Sequence, residues 1–147
     1  MTNWDALIEN IPQVAPDESL AKISVLMAQH QASVAVVLQD RKILGVLAES
    51  MIAIARQKNG DDGADHPAPV ARDVMSTSVE GMPVSTSVTD AAREMRSRRL
   101  PYVALIDDEG QFVGLVTLRR VLFDVMDELG MKVDNLEREL MADGPGG

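Results

Sequence analysis

The chain contains no cysteine, which excludes a disulfide framework, a thiolate metal site and a thiol nucleophile. Its only histidines are His30 and His66. They lie far apart without a carboxylate cluster beside both, a poor basis for a metal site, and solvated side chains are the simpler reading. Aromatic residues are scarce, with one Trp, one Tyr and two Phe, so the interleaved stacking platform of a single-strand nucleic-acid binder is missing. No apolar run approaches the roughly 20 residues that span a bilayer, and the opening MTNWDALIEN is acidic where a signal peptide is basic. There is no H-E-x-x-H, P-loop lysine motif, Gly-rich dinucleotide turn or Ser/His/Asp arrangement. The expectation is a cytoplasmic protein that is not an enzyme and does not insert into a membrane.

Among what is present, acid dominates. The 147 residues carry a net charge of −9, so nucleic-acid phosphates would be repelled unless a local basic patch overcame that charge. An apolar content of 46% is enough for one compact domain or two small coupled lobes.

The chain is organised around residues 98–122, RRLPYVALIDDEGQFVGLVTLRRVL. Two apolar runs, 102–106 and 112–118, suit a pleated, buried surface. Asp107-Asp108-Glu109-Gly110 between them is a turn cluster. Pro101 ends the helix arriving from Met95 and starts the first strand. After Leu118 the pair Arg119-Arg120 opens an amphipathic helix. The same pattern occurs at residues 30–52, HQASVAVVLQDRKILGVLAESMI. Gly45 falls on Gly114 and Met27 on Met95, with an offset of 68 residues before the turn and 69 after it, the second turn being one residue longer. Such register marks the duplication of one supersecondary unit.

In chain order, Trp4, Leu7, Ile8 and Ile11 have helical spacing and predict a short leading helix, with Trp4 read as packing rather than as a ligand-stacking residue. Val14-Ala15 predicts a brief strand, and Asp17 or Ser19 a cap for the next helix. Leu20, Ile23 and Met27 give that helix a core face, reproduced by Val88, Ala91 and Met95. Residues 56–69 are polar, rich in Gly and Asp, and read as a linker. Leu122, Met126, Leu129, Val133, Leu136 and Leu140 form a short heptad seam, packed either on its own module or against a second subunit. The tail 142–147 is expected to be disordered.

These pieces resemble the CBS domain, named after cystathionine beta-synthase, in its tandem form, the Bateman module. Residues 70–75, VARDVM, resemble the opening "V-x-D-I-M". Residues 82–95 are similar to the entry of the family's first helix, residues 98–102 to "R-H-L-P-V", and Gly114-Leu115-Val116-Thr117 to "G-h-h-S/T". Repeat one fits more loosely, from Val14 through Ala53. The resemblance implies an α+β fold of two pseudo-symmetric β-α-β-β-α repeats packed through their sheets, plus a C-terminal helix. The expected boundaries are 1–57 for a leading helix and repeat one, 58–69 for the linker, 70–128 for repeat two, and 129–147 for the C-terminal helix and tail.

The resemblance also implies two clefts between the lobes, which in ligand-binding members hold an adenosine nucleotide. Adenine would lie near Val84, Ser85 and Tyr102, or in the other half near Val14 and Val34. Phosphates would meet Arg98, Arg99 and Thr117, since an Arg fork suits phosphate oxygens, and a helix start at Thr117 would offer backbone N–H groups. The family's ribose-binding acid, three positions after the hydroxyl, is replaced by Arg120 in repeat two and by Met51 in repeat one, where Ala48 also replaces the hydroxyl. Arg cannot accept a hydrogen bond from a ribose hydroxyl. Seven of the 14 Lys and Arg residues fall in repeat two (Arg72, Arg93, Arg96, Arg98, Arg99, Arg119 and Arg120). The expected ligand is therefore a polyanion, although Arg93, Arg96 and Arg119 also read as a solvated helix face.

Two functions follow as expectations. One is a non-catalytic regulatory module that senses AMP, ADP, ATP or another phosphorylated ligand and relays occupancy to an unidentified protein target. The other is a ligand-free scaffold for dimerisation and docking, motivated by the lost ribose acids and the heptad seam. In either case a homodimer is expected.

Overall fold

Two three-stranded sheets, each backed by helices, face one another in the computed structural model, which describes residues 4–61 and 68–129. Repeat one comprises β1 (Gln13–Val14), α1 (Leu20–His30), β2 (Val34–Gln39), β3 (Lys42–Ala48) and α2 (Glu49–Asp61). After α3 (Ala71–Val74), repeat two follows as β4 (Gly81–Pro83), α4 (Val88–Ser97), β5 (Tyr102–Ile106), β6 (Phe112–Thr117) and α5 (Leu118–Glu128). In each sheet the first strand pairs parallel to the second across a helical crossover, and the second pairs antiparallel to the third. Even the register shifts coincide, at Val37/Leu38 and Leu105/Ile106. The duplication read from the sequence is a duplication of structure.

Period-two alternation explains why two sheets must meet. In β2, Ala35 and Val37 point into the helix-backed core of repeat one, with Ile23, Met27 and Leu47, whereas Val36 points the other way. In β5, Val103 and Leu105 join the core of repeat two with Met82, Ala91 and Met95, and Ala104 points away. The outward-pointing residues Val36, Val46, Ala104 and Leu115 form a third core between the sheets, each at most 2% exposed. Strands apolar on both faces need both covered, and burying a Val or Leu side chain contributes about 1.5–3 kcal/mol.

Local chemistry sets the helix starts and the turns. Ser19 Oγ accepts from Lys22 N at 3.2 Å and Ser87 Oγ from Asp90 N at 3.1 Å, equivalent caps on α1 and α4. Of the two candidates, Ser19 is therefore the cap. Asp40 and Arg41 both take positive φ, 53° and 65°, in the two-residue turn of the first hairpin. In the longer second turn Asp107 Oδ1 accepts from the N–H groups of Glu109 and Gln111, each at 2.9 Å, and Gly110 takes φ 81°.

The N-terminal segment departs from expectation. Residues 5–8 form a turn rather than a helix, held by Leu7 N and Ile8 N donating to Trp4 O. Proline at position 12 leaves little length for a helix, and tertiary packing decides the conformation. Trp4, 3% exposed, enters the core of repeat two, its Nε1 donating to Thr86 O at 3.0 Å. Glu9 N donates to Leu115 O on β6 at 2.9 Å. The segment before repeat two makes the reciprocal crossing: Ala71, Val74 and Met75 pack into the core of repeat one, and Ser76 exchanges two backbone bonds with Val46 on β3. Each repeat thus carries the entry segment of the other.

Helix α2 continues through Asp61, into the stretch that reads as linker; Arg56, Gln57 and Lys58 all favour helix. His66, the heptad residues Val133, Leu136 and Leu140, and the tail lie outside the described residues. No described helix is long and apolar enough to cross a membrane.

Candidate functional site

The N-terminal entry segment borders a cleft. A cavity of about 290 Å³ opens between the lobes, lined by residues of both repeats. Repeat one supplies Ile11, ahead of β1, and His30, Gln31, Ala32, Ser33 and Val34 from the end of α1 to the start of β2; repeat two supplies Tyr102, Leu115, Thr117 and Arg120. Glu9 and Asn10 enter along the N-terminal segment. Apolar walls come from the sheet–sheet interface, where Ile11, Val34 and Tyr102 are partly buried.

Polar groups gather at one end. Thr117 caps α5, its Oγ1 accepting from Arg120 N at 3.2 Å, while Leu118 N donates to Pro101 O at 2.9 Å. Two of the helix-start donors expected to meet a phosphate are therefore already engaged. The Arg120 guanidinium, 52% exposed, lies against the carboxylate of Glu9, 23% exposed. Glu9 Oε2 is buried and accepts no formed hydrogen bond, so the contact is an ion pair whose N–H is not aligned on the oxygen. His30 turns back along its helix, Nδ1 donating to Leu26 O at 2.9 Å. Partial burial raises the pKa of the Tyr102 phenol above its ordinary value of 10.0.

Of the residues singled out in the sequence, Val34, Tyr102, Thr117 and Arg120 meet in this cleft. The other five lie elsewhere. Val14 is 6% exposed inside the helix-backed core of repeat one, where the alternation of β1 turns it away from the sheet–sheet face. Val84 packs against the core of repeat two, and Ser85 is exposed in the following turn. Arg98 is held by two carboxylates, Glu94 Oε1 at 3.1 Å and Glu80 Oε1 at 3.2 Å, and the hydrogen bond to Glu94, then that to Glu80, raise its pKa above the ordinary arginine value. Arg99 is exposed, in a left-handed conformation with φ 56°. Arg98 and Arg99 belong by position to the pseudo-symmetric side of the module, opposite Ala48 and Met51. In their place at this cleft stand His30 and Gln31, the residues 68 positions earlier. Sequence reasoning paired the basic residues with Thr117 because all three lie in one repeat, whereas the cleft is assembled across repeats. The duplication itself was the signal that could have found residues 30–33. Nothing in the spacing pointed to Glu9.

Among the described residues, no group of three His, Cys, Asp or Glu side chains is placed to hold a metal ion.

The family model of the CBS domain matches residues 71–127. Repeat two is a CBS domain. Similarity extends over the rest of the chain: CBS domain-containing protein YhcV of Bacillus subtilis is 27% identical over 140 residues, spanning 92% of this chain and 94% of the relative. Two solved structures share the arrangement. CBSX2, an Arabidopsis thaliana CBS-pair protein, solved in complex with AMP, superposes with a TM-score of 0.68 at 18% identity over 86% of this chain and 98% of its own. The cytosolic domain of the Mg²⁺ channel MgtE, solved in complex with ATP, gives a TM-score of 0.63 at 20% identity over 80% of this chain and 45% of its own. At these identities the structural likeness establishes the CBS-pair fold of this chain.

Proposed function

We propose that this CBS pair is a non-catalytic regulatory module that binds an adenosine nucleotide in the cleft between its repeats and passes occupancy to a partner protein. The observation that carries the reading is the cleft itself, where apolar Val34 and Tyr102 stand near Thr117 and Arg120. An apolar wall for a base beside a few convergent polar groups is how small-ligand sites are built. CBSX2 with AMP and MgtE with ATP support the class of ligand. Because both repeats line the cleft, a ligand there favours whichever arrangement of lobes fits it best, and that differential affinity is the signal.

A thermal-shift series with AMP, ADP and ATP tests the reading. A nucleotide at about 100 times its Kd stabilises by roughly 2.7 kcal/mol, which moves the midpoint by several degrees. Thr117→Val should diminish the shift and Arg98→Ala should leave it intact, since Arg98 faces Glu80 and Glu94 rather than the cleft. A flat response to all three nucleotides would overturn the proposal.

A second reading, a dimerisation scaffold, rests on a separate observation. Ile54 on α2 and Phe123 on α5 occupy equivalent positions in the two repeats and are each 55% exposed, with Met126 at 49% and Leu129 at 44% beside Phe123. An exposed apolar residue at the equivalent place in each repeat, extended into a patch beside Phe123, suits a symmetric homodimer. Light scattering at micromolar concentration that shows only a 15.9 kDa species would remove it.

A further inference from the structure

We infer that Glu9 is a specificity-determining residue that restricts the inter-repeat cleft to nucleotides with few phosphates. The inference rests on the nucleotide-binding reading above and concerns the charge that the cleft accepts. Its formally charged side chains are Glu9 and Arg120, one of each sign and in contact, with His30 and the Tyr102 phenol the remaining titratable groups. Arg98, the cation that would have made this a polyanion site, is committed to Glu80 and Glu94 elsewhere. The cleft is therefore close to electroneutral despite the arginines of repeat two.

Glu9 is not a side chain that drifts in from solvent. Its own N–H is tied to Leu115 O at 2.9 Å, and Ile8 before it is pressed onto Gly114, where a Cβ would meet Ile8 at 2.5 Å. One carboxylate oxygen is fully buried and accepts no formed hydrogen bond. Each added phosphate brings further negative charge towards this fixed carboxylate, and like charges a few ångströms apart at a partly solvated site repel appreciably. The same pair faces an adjoining depression of about 370 Å³, lined also by Arg119 and Phe123. Without the charge on Glu9, Arg120 would be open to a longer phosphate chain in the depression that Arg119 also lines.

The test is calorimetric titration of AMP and ATP, in chelator so that no divalent cation masks the phosphates, into the intact protein and into Glu9→Gln. The intact protein should bind AMP about tenfold or more tightly than ATP. Glu9→Gln, which keeps the shape of the side chain, should shift that ratio about tenfold towards ATP. A merely structural role would weaken both nucleotides together and leave the ratio unchanged, which would overturn the inference while the nucleotide-binding reading stood. If the intact protein binds neither nucleotide, the nucleotide-binding reading fails, and the inference fails with it.

Discussion

Single residues in this fold acquire their meaning from what crosses them. Gly45 and Gly114 recur in register, and the structure gives one reason for both: an entry segment from the other repeat passes directly over each. A Cβ on Gly45 would come within 2.5 Å of Ser76 O, a backbone atom bonded to Val46 N, whereas on Gly114 it would meet the side chain of Ile8 at the same distance. A side chain can rotate aside more easily than a paired backbone. Gly45→Ala should therefore cost about 1–3 kcal/mol, the range for overpacking, and Gly114→Ala less, as measured by urea denaturation. Tyr102 offers a second check at this scale, because it is the single tyrosine. An absorbance titration of the phenolate should give a midpoint above 10.0 in the folded protein and near 10.0 in denaturant. The folded state holds this proton more tightly than the unfolded one. The associated stability is thus intact below pH 10.0 and lost as pH rises through the folded pKa. Tyr102→Phe should remove that part of the alkaline decline.

At the scale of elements, almost everything local was legible. Strands announced themselves as apolar runs bounded by turn residues, and helices by Leu20, Ile23 and Met27 or by Val88, Ala91 and Met95. The cap of α1 was legible as one of two candidates, Asp17 or Ser19, because a short polar side chain before an apolar periodic stretch satisfies an otherwise orphaned N–H. The structure adds Ser87 as its counterpart on α4. Ser87→Ala should cost about 1 kcal/mol, and Ser19→Ala about as much, since Ser19 Oγ and Ser87 Oγ make equivalent bonds at 3.2 and 3.1 Å. Urea denaturation of the two single variants checks this; a large inequality would show that one cap has taken on another role. Elements failed to be legible where tertiary contacts override spacing. Trp4, Leu7 and Ile8 carry a helical period, yet the indole's place in the core of repeat two and the Glu9–Leu115 backbone bond fix a turn instead. Helix α5 shows the converse. It buries Val121 inward while leaving Phe123 and Met126 outward, so one heptad reading concealed two apolar faces.

The whole molecule is held together by exchange, and this was the least legible feature. Hydrophobic period tells which face of a segment is buried, not against which repeat, so residues 4–11 were grouped with the repeat that follows them in sequence. The same blindness placed Arg98, Arg99 and Thr117 in one cleft and omitted Glu9. Once the crossing is known, the two repeats cannot be independent folding units. Repeat two borrows Trp4 and Leu7, and repeat one borrows Ala71, Val74 and Met75. Trp4 is the only tryptophan and docks on repeat two through Thr86 O at 3.0 Å, so its fluorescence reports the N-terminal crossing alone, while far-ultraviolet circular dichroism reports both repeats. The two unfolding transitions should coincide, the mark of a single cooperative unit. Trp4→Ala should lower stability by about 3–5 kcal/mol, the usual cost of deleting a buried indole. Because the entry segment then loses its anchor, the variant should also lose nucleotide discrimination at Glu9, some distance from the mutation along the chain. If fluorescence instead melts well before circular dichroism, the N-terminal segment is a separately detachable strap, and the lobes are joined by the sheet–sheet core and the second crossing alone.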